Sequence, residues 1–349
     1  MNDSTTELPE RFRDRDIFED QQGRLFVTLG FIQPKERVIS YLKYIPDEKG
    51  SWIRSGTRYR RIFWGSVDSV ASGIDLLPIS YSAEDKHFQT ALIEPPRHVI
   101  KKYYSPEKRL LEILEAPQDD LEETTKEAVE FLHDEFEIPI EVLGIAGSIL
   151  WRGHSAEYSD INMNVYGHEN AWALQNNYNL IDDERPHIRL RPLADWDHAI
   201  ERIVERIPRV SKKNLQLLFA RRKAFCVGQR CIGITPVLLP EEAPIEHGSE
   251  IYVTVSAEPV SLKVRIENDV YGIFHPALYE IEPIEFEGET VQRIMTYDGA
   301  FGGLFHTGDR VEVTGMLQRV VQANTDCSFA QIMVGTKVGS GKEYIRLSD

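Results

Sequence analysis

Short runs in which apolar and polar residues alternate open the chain. RLFVTLGFI, VISYLKYI, YRRIFWGSV and FQTALI are rich in β-branched and aromatic side chains, and turn signals at Gln22-Gly23, Pro34-Lys35 and Pro46 to Ser51 separate them. A period of two bounded by such turns predicts strands. Residues 15–104 therefore read as an N-terminal β-rich module, preceded by a loose polar arm over 1–14. After Pro95-Pro96 the period changes. PEKRLLEILEAP predicts a helix with Pro106 near its start and Pro117 at its end. A second helix is predicted from about Asp119 to Glu135, with Leu121, Thr124, Ala128, Phe131 and Leu132 on one face and carboxylates crowding its N-terminus.

PIEVLGIAGS then predicts a strand opening at Gly147-Ser148 into a turn or short helix, and DINMNVYG a second strand. HENAWALQNNYNLI, DHAIERIVERI and SKKNLQLLFARRKAF have helical spacing, and Cys226 to Leu239 reads as one further strand. Residues 105–244 thus form a central α/β domain with leading helices. From Ile251 the alternation returns in IYVTVSA, SLKVRIEND, HPALYEIEPIEF, DRVEVTGMLQRVV and SFAQIMVG, which predict a C-terminal β-barrel-like domain over 248–349, in the style of an oligonucleotide-binding fold. The fold class expected is α+β: a mixed sheet with helices, flanked by two β-rich modules.

Composition narrows the partners. A chain of 349 residues suits two or three domains. Its net charge of -16 repels nucleic acid at long range, so nucleic-acid binding would need local basic surfaces. The three cysteines, Cys226, Cys231 and Cys327, complete neither a disulfide framework nor a zinc site, and read as thiols. MNDSTTELPERFRDRD has no apolar core of a signal peptide and no run reaches a membrane span, so a cytoplasmic protein without membrane contact is expected.

The candidate chemistry lies in GSILWRGHSAEYSDIN, Gly147 to Asn162. A strand that opens at Gly-Ser presents free backbone N–H groups to a phosphate, and the Ser148 hydroxyl adds a donor. Asp160, Asn162 and Asn164 alternate with Ile161, Met163 and Val165, so the polar three share a strand face that can offer oxygen ligands to Mg²⁺. Gly147, Ser148, Gly153, Ser159, Asp160 and Ile161 resemble the motif of the polymerase-beta-like nucleotidyltransferase superfamily, and the wider layout is similar to uncharacterised archaeal predicted nucleotidyltransferases. The motif covers sixteen residues and the domain-level likeness roughly 136–240.

The resemblance implies nucleoside triphosphate and Mg²⁺ bound in one cleft, with Asp160 and Asn162 as catalytic metal ligands and Gly147 and Ser148 on the phosphates. The acceptor would be an RNA, a protein or a small molecule. Two departures bear on catalysis. Asn162 stands where the family has a second aspartate, and the strand from Cys226 to Leu239, which should bring a third carboxylate, has no acid. Two dications held by less negative charge are held less well. An active nucleotidyltransferase and a catalytically inactive scaffold that binds nucleic acid or protein are both open at this stage.

Several basic residues are further candidates. Arg152 would place a cation by the phosphates. Arg221 and Arg222, within the basic stretch Arg202, Arg206, Arg209, Lys212, Lys213 and Lys223, would contact phosphate or RNA, or else face solvent balanced by Glu201 and Glu205. Arg54, Arg58, Arg60 and Arg61, interleaved with Trp52, Tyr59, Phe63 and Trp64, would stack single-stranded nucleic acid, or place the aromatics in a core. His154 reads as a surface histidine. GSGK at Gly339 to Lys342 lacks a following helix and is set aside as a phosphate loop.

Overall fold

The computed structural model describes residues 7–63, 65, 70, 73–181, 187–325 and 327–348. The chain is a mixed α+β protein in four sheets. Strands β2 (Leu25–Thr28), β3 (Ser40–Pro46) and β5 (Thr57–Arg61) fall on the first three alternating runs, while β1 (Ile17–Asp20) and β4 (Trp52–Arg54) lie outside them. The Gln22-Gly23 turn forms because Asp20 Oδ1 accepts from the backbone of Gln22 and Arg24, both at 2.9 Å. Two short strands, β6 (Ser82–Asp85) and β7 (Thr90–Ile93), pair with each other in a separate two-stranded sheet. With β8 (Ile100–Tyr104), the first strands make an antiparallel sheet ordered β4-β5-β3-β2-β1-β8.

The two leading helices form where expected. Helix α1 (Pro106–Glu115) is capped by the Ser105 hydroxyl and begins with Pro106, whose missing N–H costs nothing in the first turn. Helix α2 (Asp120–Phe136) is capped by Asp119, which accepts from Leu121 and Glu122 N–H at 3.0 Å. Its buried face carries Leu121, Thr125, Ala128, Val129, Leu132 and Phe136, so Thr125 rather than Thr124 completes the stripe. Each buried Leu or Phe there contributes about 1.5–3 kcal/mol. Arg109 of α1 and Glu122 of α2 form a buried ion pair between the helices.

A five-stranded mixed sheet follows. It contains β9 (Leu143–Ile145), which runs into the one-turn helix α3 (Gly147–Leu150), then β10 (Ile161–Tyr166), helix α4 (His168–Asn177) and β11 (Ile188–Leu190). The single strand expected from Cys226 to Leu239 is instead a hairpin, β12 (Phe225–Val227) and β13 (Arg230–Val237). Val227 pairs with Arg230 across the two-residue loop Gly228-Gln229, and Gly228 takes φ +56°, which a side chain would resist. The sheet order is β11-β12-β13-β10-β9, with β10 parallel to β13 and antiparallel to β9. Met163 and Val165 fill the core from β10.

The hairpin also corrects the reading of the cysteines. Cys226 lies opposite Cys231, and the two sulfurs are bonded in a disulfide, leaving Cys327 as the free thiol. Adjacent strands bring opposite Cβ atoms within bridging distance, a contact that a one-strand assignment cannot supply.

Helices α5 (Asp197–Arg206) and α6 (Lys212–Phe219) pack with the C-terminal strands. These are β14 (Glu250–Thr254), β15 (Val260–Asn268), β16 (Ala277–Phe286), β17 (Glu289–Thr296), β18 (Arg310–Gln322), β19 (Ser328–Val334) and β20 (Tyr344–Leu347). Antiparallel pairs β15–β16, β16–β17, β18–β19 and β15–β18, with the parallel pair β17–β19, close five of them into a ring. Leu262, Val264, Ile281, Val291, Val313 and Ile332 share its core with Ile200, Leu215 and Phe219 of the helices.

The chain divides into two compact units that alternate along the sequence. The first is drawn from Met1–Trp64, Ile93–Arg191 and Lys223–Ala243; the second from Gly65–Leu92, Pro192–Arg222 and Pro244–Asp349. The sheet of β1–β5 and β8 thus shares a unit with the β9–β13 sheet, and the ring belongs to the other. Among the described residues no helix is long and apolar enough to cross a membrane.

Candidate nucleotide site

The site of the first unit is built where β9 ends. Ala146 N–H donates to the Asn162 carbonyl at 2.8 Å, which ties the start of α3 to β10. Gly147 has φ +62°, a conformation that costs a non-glycine residue about 1–2 kcal/mol. A Cβ there would also stand 3.2 Å from Asn162 Nδ2, and a Cβ on Gly233 of β13 would stand 3.2 Å from Asn162 Oδ1. Two glycines therefore leave room for the Asn162 amide on either side. Helix α3 has only four residues, so the dipole it offers is that of one turn.

Asp160 and Asn162 are exposed, and Asn164, two residues on, is fully buried. Asn164 Nδ2 donates to the Tyr166 hydroxyl at 3.1 Å, while its Oδ1 has no partner among the described residues. The exposed donors of the row are therefore the Asp160 carboxylate and the Asn162 amide. Gly233 lies level with Asn162 on the parallel strand and brings no carboxylate there. Among the described residues Asp160 belongs to no group of three acidic, histidine or cysteine ligands within 4.8 Å of one another. With one carboxylate and one neutral amide, the exposed donors could serve one divalent cation and carry too little negative charge for two.

One cation of the N-terminal sheet, Lys43 of β3, lies within electrostatic reach of Asp160. Burial, reinforced by the Arg61 and Arg15 guanidiniums, pushes the Lys43 ammonium of β3 down to about 7, and Asp160 opposes that shift. The neighbouring Tyr44 hydroxyl is raised to about 12, chiefly by burial, and Asp160 adds to the effect. Trp151, just after α3, is fully buried with its ring 5.1 Å from both Tyr44 and Tyr59. That ring lies across Gly153, where a Cβ would fall 2.0 Å from it, so glycine is required at Gly153 by packing.

Sequence comparison adds one relative and no function. Uncharacterized protein MJ1086 of Methanocaldococcus jannaschii is 22% identical, over 97% of this chain and 99% of its own length. No family model matches, and no solved structure matches.

The remaining candidates are committed elsewhere. Arg152 follows α3 and is half exposed, with Nη2 2.7 Å from Glu112 Oε2. His154 pairs through Nε2 with Asp119 at 2.9 Å. Arg221 and Arg222 belong to the second unit. There Arg221 pairs with Asp309, and Arg222 donates to the carbonyls of Gly299 and Ala300 at 3.2 and 3.3 Å. Arg206 is paired with Asp298 and Lys212 with Glu201.

In the Arg54 group, Arg54 pairs with Glu19, Arg60 with Asp47, and Arg61 donates to the Phe63 carbonyl. Tyr59 is buried and Trp52 packs on Tyr44 at 5.3 Å, so these aromatics serve the core; Trp64 lies outside the described residues. The GSGK turn is filled by the buried Glu343 carboxylate, which accepts from Gly335 and Thr336 N–H at 2.7 Å. Lys43 was absent from the sequence candidates. Its signal was a lysine inside the apolar run VISYLKYI, where alternation calls for a buried side chain.

Proposed function

We propose that the first unit binds the phosphates of a nucleoside triphosphate with one Mg²⁺ ion, Asp160 being the charged ligand of the metal. The observation that carries this reading is the exposed pair Asp160 and Asn162 beside Gly147, with Lys43 within electrostatic reach of Asp160. When bound, the ion would neutralise part of the triphosphate charge. Asp160 would hold it, the Asn162 carbonyl would serve as a neutral donor, and Lys43 would gain a phosphate partner. Asn162 and Gly233 leave too little negative charge for a second ion, so nucleotide binding is the function this donor set supports best. Nucleotidyl transfer to an RNA, protein or small-molecule acceptor would require the charge to be restored. Calorimetry with each nucleoside triphosphate and Mg²⁺ or Mn²⁺, on the native chain and on Asn162→Asp, tests the reading. Metal-dependent binding that tightens in Asn162→Asp is expected, and no heat with either protein would overturn it.

A second reading, an interaction scaffold, is favoured by the ring of the second unit. A five-stranded ring closed by parallel pairing of its third and fifth strands is compatible with a small barrel in the style of an oligonucleotide-binding fold. Architecture alone does not assign a ligand.

A further inference from the structure

The outer face of the ring carries an unresolved electrostatic conflict. Along β15, Leu262, Val264 and Ile266 are buried, while Ser261, Lys263, Arg265 and Glu267 point outward. The antiparallel register sets Arg265 directly opposite Arg310 of β18 and Lys263 opposite Glu312. Like charges directly across a strand pair repel. Glu312 does not relieve the pair, because it already accepts from Arg346 at 2.9 and 2.8 Å and from the Tyr344 hydroxyl at 2.6 Å. Among the described residues neither the Arg265 nor the Arg310 guanidinium has a hydrogen bond or ion pair.

The two arginines line a cleft of about 490 Å³ together with Lys263, Glu282, Pro283 and Ile284. Among the described residues, three cations and one carboxylate give the lining a net positive charge in a chain whose net charge is -16. Most other arginines near the ring are spent on acids: Arg221 on Asp309, Arg293 on Glu250, Arg319 on Glu289. We propose that this cleft is a phosphate-binding site, with Arg265 and Arg310 clamping one phosphate between them and Lys263 adding a third cation. A phosphate oxyanion turns the repelling pair into two charge-assisted hydrogen-bond donors aimed at one acceptor group. The lining's positive excess matches a phosphate dianion or successive phosphodiesters, and a single carboxylate would leave it unbalanced. Pro283 and Ile284 supply an apolar wall beside the charges, suited to the sugar or base carried by the phosphate. A failure of nucleotide binding at Asp160 would leave these charges as they are.

The test uses the full chain and two probes: a fluorescent 12-mer oligouridylate followed by polarisation, and inorganic phosphate or uridine monophosphate followed by thermal shift against chloride at equal ionic strength. Arg265→Glu and Arg310→Glu are expected to weaken the responding probe by about tenfold or more. For the oligonucleotide, the slope of log affinity against log salt should fall by about 0.7 for each lost contact. Lys108→Glu, the same charge change on exposed α1, should respond as the native chain. Arg310→Gln keeps the fold testable: it should melt no lower than the native chain without phosphate, and lose the stabilisation that phosphate confers. A response to oligouridylate alone assigns a nucleic-acid backbone, and an equal response to the small phosphates assigns a free phosphate or mononucleotide; either supports the clamp. Probes that act equally on native and Arg265→Glu chains, or on neither, overturn it.

Discussion

Gly147 and Asn162 are packed so closely that a methyl group on the first would meet the amide of the second at 3.2 Å. Gly147→Ala should therefore cost more than backbone strain. Gly56, at φ +83° with nothing within 4 Å of its would-be Cβ, provides the comparison. Gly56→Ala should lose about 1–2 kcal/mol from the left-handed backbone alone. Gly147→Ala should lose that and also displace Asn162, so that triphosphate affinity falls in this variant only. Urea midpoints and calorimetry on the two variants read the difference.

Lys43 sets a pH dependence. Burial holds its folded pKa near 7 against an ordinary 10.5, so between these values the unfolded chain binds the extra proton. Stability then rises with pH across that window, and the charged form is a burden below it. Lys43→Met should raise the urea midpoint most at pH near 6 and flatten the gain between about 7 and 10. The same substitution should weaken triphosphate binding. A variant that gains stability and keeps its affinity would place Lys43 outside the nucleotide site.

Inside the second unit, Arg293 of β17 pairs with Glu250 of β14 at 2.8 Å, and Arg293 also donates to Gln331. Removing one partner leaves a charge without compensation in a mostly buried place. Arg293→Met should destabilise by about 3–5 kcal/mol, and Glu250→Met with Arg293→Met should recover much of the loss. Denaturation of the single and double variants decides it.

The disulfide predicts a thiol count. Titration of the unfolded, non-reduced chain should find one reactive thiol, Cys327, and three after reduction. Three thiols before reduction would leave Cys226 and Cys231 as a close but unbonded pair.

What could be read from the sequence was local. Ser105-Pro106 and Asp119 announce the helix starts because capping involves neighbours in sequence. The strict alternation of β15 shows its inner and outer faces. Strand β17 is hard to read from the pattern because Arg293 and Thr296 are buried in it, at positions where burial calls for apolar side chains. Arg221 and Arg222 looked close to the motif because only five residues separate Arg221 from Cys226, yet their partners, Asp309, Gly299 and Ala300, lie nearly eighty or more positions away. Lys43 reaches Asp160 from over a hundred positions upstream. Pairings of that span are tertiary facts that no window along the chain contains.

The alternation of the two units along the chain sets a timetable for synthesis. Gly65–Leu92 leaves the ribosome early, but the body it joins is completed by Pro244–Asp349. His87, fully buried with its ring 4.4 Å from that of Tyr252, is made long before its neighbour. At translation rates of about 5–20 residues per second the delay is roughly ten to thirty seconds. During that time the first unit can close at Ala243 around its own three segments, while the early hairpin and helices α5 and α6 wait with apolar faces uncovered. A nascent chain paused between Ala243 and the last strands would keep those faces uncovered until β14 to β20 are made.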